Sequence, residues 1–314
     1  MKTLSRKMIF TAIAMVIVVV SALIYFAGPS YLYGKAIDGL RKEAGLTIES
    51  VSLDEMEIVY AEGGTGDAIV LLHGFGGSKE NWLSFAKYLT PGYRVIIPDL
   101  PGFGESSKPQ DVTYSIQFQV EKIMALARKL ELPGFHIVGN SMGGNIAGSF
   151  AADYPEMVYS LGLFDSAGVQ SPEKSELTLL LEKGVNPLLI EDPEAFDRLL
   201  EINFVQPPAL PSFIKRHLAK NAMKAAPFNV KIFQDLMNTG LTGLEGNLQL
   251  IEAPTLIVWG DSDKVLHISA VAVFEKNIKN AESAIIRECG HLPMMEKPEE
   301  TSSVYLGFLK EKNP

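Results

Sequence analysis

Phe135-His136-Ile137-Val138-Gly139-Asn140-Ser141-Met142-Gly143-Gly144 carries an apolar, strand-like run into a serine bracketed by glycines. A helix-like stretch follows, roughly Asn145 to Tyr154, closed by Pro155. The pattern G-x-S-x-G on a strand-to-helix turn is a nucleophile elbow. At such a turn the serine takes strained backbone angles, and a β-carbon at the flanking positions collides with the strand or helix beside it, hence the glycines. The helix that follows aims its unpaired N-terminal N–H groups at the place where an oxyanion forms. Small glycine-serine turns also serve as plain connectors; the strand before and the helix after supply the context that the catalytic reading requires.

Outward from this turn, strand and helix signals alternate from Ile48 onward, which predicts a mostly parallel sheet with helices on both faces. The candidate strands are Ile48 to Leu53, Glu57 to Ala61, Ala68 to Leu72, Arg94 to Ile97, Phe135 to Val138, Tyr159 to Phe164, Thr255 to Trp259 and Ala284 to Arg287. The last six are continuous or nearly continuous apolar runs, as strands buried on both faces should be, whereas the first two alternate like an antiparallel edge hairpin. Between Gly168 and Glu252 no strand signal appears and the periodicity is helical, with proline-punctuated apolar pieces such as Pro187-Leu188-Leu189-Ile190. An insertion there reads as a helical cap, about 168–252, over the carboxyl edge of the sheet, where open α/β sheets bind ligands.

A serine hydroxyl is a weak nucleophile and needs a general base, which in turn needs an orienting group. Of the five histidines, His73 falls in the loop after the third strand, His136 at the base of the fifth, His217 in the cap and His267 after the seventh. A lone histidine is more often structural than catalytic. Only His291, in Gly290-His291-Leu292-Pro293 just after the last strand, has the position that the order Ser, acid, His demands. The acid should leave a strand between them, and Trp259-Gly260-Asp261-Ser262-Asp263 provides one. Asp263 is the first choice, Asp261 the second and Asp165, after the sixth strand, the third; Asp261 could equally form an Asx turn with its own backbone.

An oxyanion needs two N–H donors. One is Met142, next to the nucleophile. The other is expected from His73-Gly74-Phe75-Gly76-Gly77, with Phe75 N–H as the donor. A glycine-rich loop can also cradle phosphate, but this one lacks the lysine of G-x-x-x-x-G-K-[ST]. Asp99, in Asp99-Leu100-Pro101-Gly102-Phe103-Gly104, reads as a turn residue bonded to local backbone.

The chain has 314 residues, 47% of them hydrophobic, one cysteine and a net charge of −9, which suits one large α/β domain with an appendage. After Lys2, Arg6 and Lys7, the run Ile9 to Gly28 carries no charge across 20 residues; as a helix it is about 30 Å long, the thickness of a bilayer core. Tyr25, Phe26, Tyr31 and Tyr33 suit an interfacial aromatic belt. The run is longer than the apolar region of a signal peptide. Tyr25 and Ala27 make a poor cleavage site, with Val20 and Ala22 a weaker alternative. A single-pass anchor over 1–33 is therefore expected ahead of a catalytic domain over 34–314, and the positive-inside tendency favours an extracytoplasmic domain. Setting the three cations aside leaves 25 basic against 37 acidic residues, a net of −12, which opposes binding of nucleic acid. The single Cys289 excludes an internal disulfide and any CxxC redox or zinc motif.

Taken together, HGFGG (73–77), DLPGFGESS (99–107), GNSMGG (139–144), WGDSD (259–263) and GH (290–291) resemble, in this order and near these spacings, the α/β-hydrolase superfamily from about Ala61 onward. Within it the chain most resembles membrane-anchored monoacylglycerol lipases, through the N-terminal run, the segment Met142 to Gly148, Trp259 to Leu266, and Cys289-Gly290-His291 with Met295-Glu296-Lys297-Pro298. The resemblance implies Ser141 as nucleophile, Asp263 as orienting acid, His291 as base, and Phe75 and Met142 as oxyanion donors. It also implies a lipid ester substrate and no cofactor or metal. The fold it implies is the α/β-hydrolase fold: an eight-stranded, mostly parallel sheet with helices on both faces, a helical cap and an N-terminal transmembrane helix. Many relatives place proline four residues after the acid; this chain has His267. Two alternatives stand beside this expectation. Carbon–carbon bond hydrolases of ring-cleavage products can share the GNSMGG block, but their substrates carry carboxylates, need cationic pocket residues and give an anchor no purpose. A tethered binding protein without turnover can share the fold, but a complete triad with an oxyanion loop argues against it.

Overall fold

The structure, a computed structural model, describes residues 28–312. Eight strands form one sheet: β1 (Leu46–Leu53), β2 (Met56–Gly63), β3 (Ala68–Leu72), β4 (Arg94–Pro98), β5 (Phe135–Ser141), β6 (Val158–Ser166), β7 (Thr255–Gly260) and β8 (Ala281–Ile286). Their order is β1-β2-β4-β3-β5-β6-β7-β8. β2 runs antiparallel to both β1 and β4, and every other neighbouring pair is parallel. The chain thus forms the mostly parallel sheet that its alternating signals predict, with the β1–β2 hairpin at one edge.

Ten helices accompany the sheet among the described residues: α1 (28–43), α2 (Leu83–Leu89), α3 (Ile116–Lys129), α4 (Met142–Asp153), α5 (Glu176–Glu182), α6 (Pro193–Asn203), α7 (Ser212–Thr239), α8 (Ala270–Asn277), α9 (Pro293–Glu296) and α10 (Pro298–Lys312). The alternation of side chains along each strand divides the core in two. Val70 and Leu72 pack with Val120 and Ile123 of α3, Ile146 and Phe150 of α4 and Phe274 of α8 on one face. Ile69 and Leu71 pack with Leu83, Phe85 and Leu89 of α2 and Tyr305, Phe308 and Leu309 of α10 on the other. β3 and β7 are buried at every position, the signature of a strand covered on both sides.

Two local readings need correction. β8 is not buried on both faces: it is the edge strand, only Ile286 is buried along it, and it begins at Ala281, three residues before the apolar run at Ala284. A strand with one neighbour needs less apolar sequence, so its apolar run marks only part of it. α4 begins at Met142, directly after the serine, because Gly143 and Gly144 belong to the helix instead of preceding it.

Between β6 and β7 lie α5, α6 and α7 and no strand. Leu177 N–H donates to Lys264 O and His291 N–H donates to Asn203 O. Asp235 of α7 accepts from Tyr114 N–H, and Lys231 donates to Val112 O. These contacts seat the three helices on the loops that follow β4, β7 and β8, at the carboxyl edge of the parallel strands. Among the described residues no helix is long and apolar enough to cross a membrane. The expected span, Ile9 to Gly28, lies outside the described residues except for Gly28. α1 runs through positions 33 and 34, the expected boundary between anchor and domain, without a break.

Candidate active site

Ser141, the last residue of β5, sits at φ 57° and ψ −120° immediately before the first turn of α4. A non-glycine residue with positive φ is costly and persists only where its surroundings hold it. The glycines supply those surroundings. A β-carbon at Gly139 would strike the carbonyl of Gly143, one at Gly143 would strike the carbonyl oxygens of Leu72 and His73, and one at Gly144 would strike the Ser166 hydroxyl. β5, β3 and α4 therefore approach at distances that only glycine permits, and the serine is pushed out of the turn, partly exposed.

The loop after β3 faces it. A β-carbon at Gly74 would come within 3.0 Å of the Ser141 Cβ, so the Gly74-Phe75 backbone passes directly over the serine. The turn and loop hydrogen bonds of the described residues use neither Phe75 N–H nor Met142 N–H. The Phe75 ring packs edge-on against Phe103 and against Phe233 of α7, which anchors the loop from above. His73, fully buried, anchors it from below. Its Nε2 accepts from Leu100 N–H at 3.0 Å, so Nδ1 carries the hydrogen and donates to Gly74 O at 2.8 Å. Burial lowers the His73 pKa, consistent with a neutral, structural imidazole.

Asp99 is likewise structural, but its partner is not only local backbone. It accepts from Glu105 N–H, from Lys79 N–H and from the Lys79 ammonium at 2.8 Å. Burial opposes the Lys79 charge, but Asp99 and Glu105 outweigh it and hold the ammonium well above its usual range. The ion pair fastens the loop after β3 to the loop after β4.

Asp263 and His291 meet: His291 Nδ1 donates to Asp263 Oδ2 at 2.8 Å, with both residues buried. The other oxygen, Oδ1, accepts from Val265 N–H at 2.7 Å and Leu266 N–H at 3.1 Å. Asp263 is thus fixed by its own loop, and His267 turns aside to bond the Ser269 hydroxyl. Asp261 points elsewhere, accepting from the Ser262 hydroxyl and Cys289 N–H. Asp165 stands beside the pair, fully buried, accepting from Gly260 N–H. His136 bonds Ser160 inside the core and His217 bonds Asn221 on α7, so neither approaches the site.

The structure does not join all three expected partners. Ser141 Oγ forms no hydrogen bond to His291 among the described residues, an interaction that in unliganded sites often tightens only when substrate arrives. The link between them runs through Asn140, whose amide donates to His291 O at 3.0 Å and to Phe164 O at 3.1 Å. His291 N–H is held at 2.8 Å by Asn203 O at the end of α6. Glu296 braces the same loop by accepting from Gly290 N–H and Gln206 N–H. Sequence reading gave no role to Asn140, Asn203, Glu296 or Lys79. Asn140 alone carried a signal, a polar side chain at the end of an otherwise apolar strand.

Asp165, Asp263 and His291 offer donor atoms within 4.8 Å of one another, the one such threefold grouping among the described residues. In this arrangement the imidazole Nδ1 is engaged with Asp263, which leaves Nε2 as the free nitrogen. A strained, partly exposed serine, a carboxylate-braced histidine and two backbone N–H groups beside the serine are the parts that acyl transfer requires.

Residues 67–201 match the model of the alpha/beta hydrolase fold family. Over 280 residues, 87% of each chain, the protein is 37% identical to Lipase 1 of Psychrobacter immobilis. It is 30% identical to the monoacylglycerol lipase ABHD6 of Mus musculus over 282 residues, 86% of this chain and 84% of that one. Among solved structures it is similar to a membrane phospholipase A described as a bacterial virulence factor, with a TM-score of 0.92 and 43% identity over 98% of this chain and 100% of that one. The chain belongs to the α/β-hydrolase family. It is a carboxylic ester hydrolase.

Proposed function

We propose that the protein is a serine lipase that cleaves lipid esters of the monoacylglycerol type through an acyl-enzyme on Ser141. His291 Nε2 takes the proton from Ser141 Oγ as the oxygen attacks the ester carbonyl. Phe75 N–H and Met142 N–H receive the oxyanion. His291 then returns the proton to the leaving alcohol as the C–O bond breaks. Water, deprotonated by the same nitrogen, attacks the acyl-enzyme, and His291 passes that proton to Ser141 Oγ as the acyl C–O bond breaks, releasing the acid and free Ser141. Asp263 holds the imidazole with its proton on Nδ1 and stabilises the imidazolium that forms in each step. The observation that carries this reading is the 2.8 Å bond between Asp263 and His291 beside the strained Ser141 turn.

The lipid substrate rests on the relatives, which include a lipase, a monoacylglycerol lipase and a membrane phospholipase A. It also rests on the uncharged run at Ile9 to Gly28. We read residues 1–33 as a single-pass membrane anchor with the catalytic domain on the extracytoplasmic side, residues 34–314 as that domain, and residues 168–252 as its cap. Where the run ends, Gly28 and Leu32 line an apolar cavity of about 730 Å³ together with Phe213 and Met223 of α7. This cavity includes no residue of the Ser141 site; it is a feature of the junction between α1 and the cap helices. Tyr33 packs against His217 of α7 in the same junction. An anchor held there keeps the cap, and the site beneath it, at the membrane surface.

The likeness to a membrane phospholipase A favours a second substrate reading, the acyl ester of a phospholipid. Fatty-acid release from monoacylglycerol, triacylglycerol and diacyl phospholipid, measured side by side for the full chain in detergent, separates the two. Monoacylglycerol is expected to turn over fastest and Ser141→Ala to abolish all three activities. Unchanged hydrolysis by Ser141→Ala would remove the proposed mechanism.

A further inference from the structure

Asp165, at the end of β6, has no part in the steps above, yet its surroundings are unusual for a carboxyl group. It is fully buried, and its backbone is held at φ 43°, in the left-handed region that an aspartate seldom occupies. One oxygen, Oδ1, accepts from Gly260 N–H at 2.9 Å. The other, Oδ2, is buried with no donor facing it. Its neighbour is Asp263, whose carboxylate lies within 4.8 Å together with a ring nitrogen of His291.

Asp263 is already supplied with donors, two backbone N–H groups on Oδ1 and the imidazole N–H on Oδ2. Asp165 has a single N–H bond and faces further negative or neutral groups: Asp263 on the loop after β7, Glu296 on α9 and the buried Cys289 thiol on the loop after β8. Burial first, and the charge of Asp263 second, push its carboxyl well above the usual carboxylate range. Two carboxyl groups this close in a dry site cannot both ionise, so the proton stays on the one with fewer donors.

We propose that Asp165 is a positioning residue, a neutral acid that carries its proton on Oδ2 and donates it to the carboxylate of Asp263, holding that carboxylate in line with His291. The inference rests on the assignment of Asp263 and His291 as orienting acid and base. The buried Oδ2 then gains a partner, and Asp263 gains a fourth hydrogen bond that comes from a different strand end from its own loop. β6 and β7 are adjacent in the sheet, so this bond ties the triad acid to the strand that borders the elbow strand β5.

The full chain in detergent provides the test, with kcat and KM followed across pH. Asp165→Asn retains a neutral donor of the same shape. It should keep kcat within about twofold of the parent, the scale of an isosteric exchange of one neutral hydrogen-bond donor for another, and leave the acid limb of the kcat/KM profile in place. Asp165→Val removes the donor. It should lower kcat by about tenfold or more, the scale of one charge-assisted hydrogen bond, with KM little changed and the acid limb moved to higher pH, because Asp263 then pairs more strongly with the imidazolium. The infrared difference between the parent and Asp165→Asn should contain the C=O stretch of a protonated carboxyl group. An acid limb moved to lower pH in Asp165→Asn would mean that an anion had been removed, and would overturn the proposal. So would absence of the protonated-carboxyl band, or a folded Asp165→Val with parental kcat. Asp263→Asn, measured in the same series, tests the assignment beneath it: parental activity there would sink the triad itself.

Discussion

Ser141 occupies a backbone conformation that no isolated chain would choose, and the residues that impose it are its flanking glycines. These carry their reason in the sequence, since three glycines around one serine after an apolar run have few other uses. Chain order and loop position singled out His291 among the histidines and put Asp263 first among three candidate acids. Asn140, which ties the Ser141 turn to His291, was less legible, because its partners are the backbone carbonyls of His291 and Phe164, far away in sequence. The same holds for Lys79 and Asp99, whose pairing depends on two loops meeting. Among the histidines outside the site, His136 makes a prediction at this scale. It is buried against Ser160, and burial lowers its pKa from 6.5 to about 4. Its neutral form is the folded form, so the unfolded chain takes up a proton first as pH falls. Stability from this residue is full above about pH 6.5 and is lost as pH falls toward about 4, by roughly 3 kcal/mol at most. His73, shifted the same way, adds to the trend. Denaturant titrations at stepped pH should show this loss in the parent and a flatter profile in His136→Gln; identical profiles would contradict it.

At the scale of elements, sequence periodicity identified the strands that are covered on both faces and overstated the one that is not. β8 has a single neighbour, and its exposed positions dilute the apolar signal. The helical stretch between β6 and β7 was legible as helical but not in its arrangement. α7 runs 28 residues through Pro227, a residue that removes one helical hydrogen bond and crowds the preceding turn. Its continuity comes from packing: Ile232 and Leu236 are buried in the main core, and Asp235 takes the N–H of Tyr114. Ile232 also lies against Gly102, and Phe233 against Phe75. Ile232→Ala should therefore destabilise the protein by about 2 to 5 kcal/mol, the range for a large-to-small change in a packed core. It should also reduce activity measured well below the unfolding temperature, because α7 holds the Gly74-Phe75 loop over Ser141. Thermal unfolding and kcat measured together check both; a destabilised variant with unchanged kcat would show that α7 packs the core without setting the loop.

For the whole molecule, the sheet converts a sequence order into a spatial one. β5 lies at its centre and delivers Ser141. β7 and β8 carry Asp263 and His291 on the same edge, and the loop after β3 passes over Ser141. The fold class was legible because each of these strand ends carries its own punctuation. The arrangement of α5 to α7 and their junction with α1 were not, because helix packing at the carboxyl edge is set by side-chain contacts that no periodicity encodes. The proposed activity stands or falls on one oxygen atom. Treatment of the full chain with a fluorophosphonate, followed by peptide mass spectrometry, is predicted to place a single adduct on Ser141, with labelling absent in Ser141→Ala and strongly slowed in His291→Gln. An adduct on another residue, or ester hydrolysis that continues after Ser141 is fully labelled, would contradict the account.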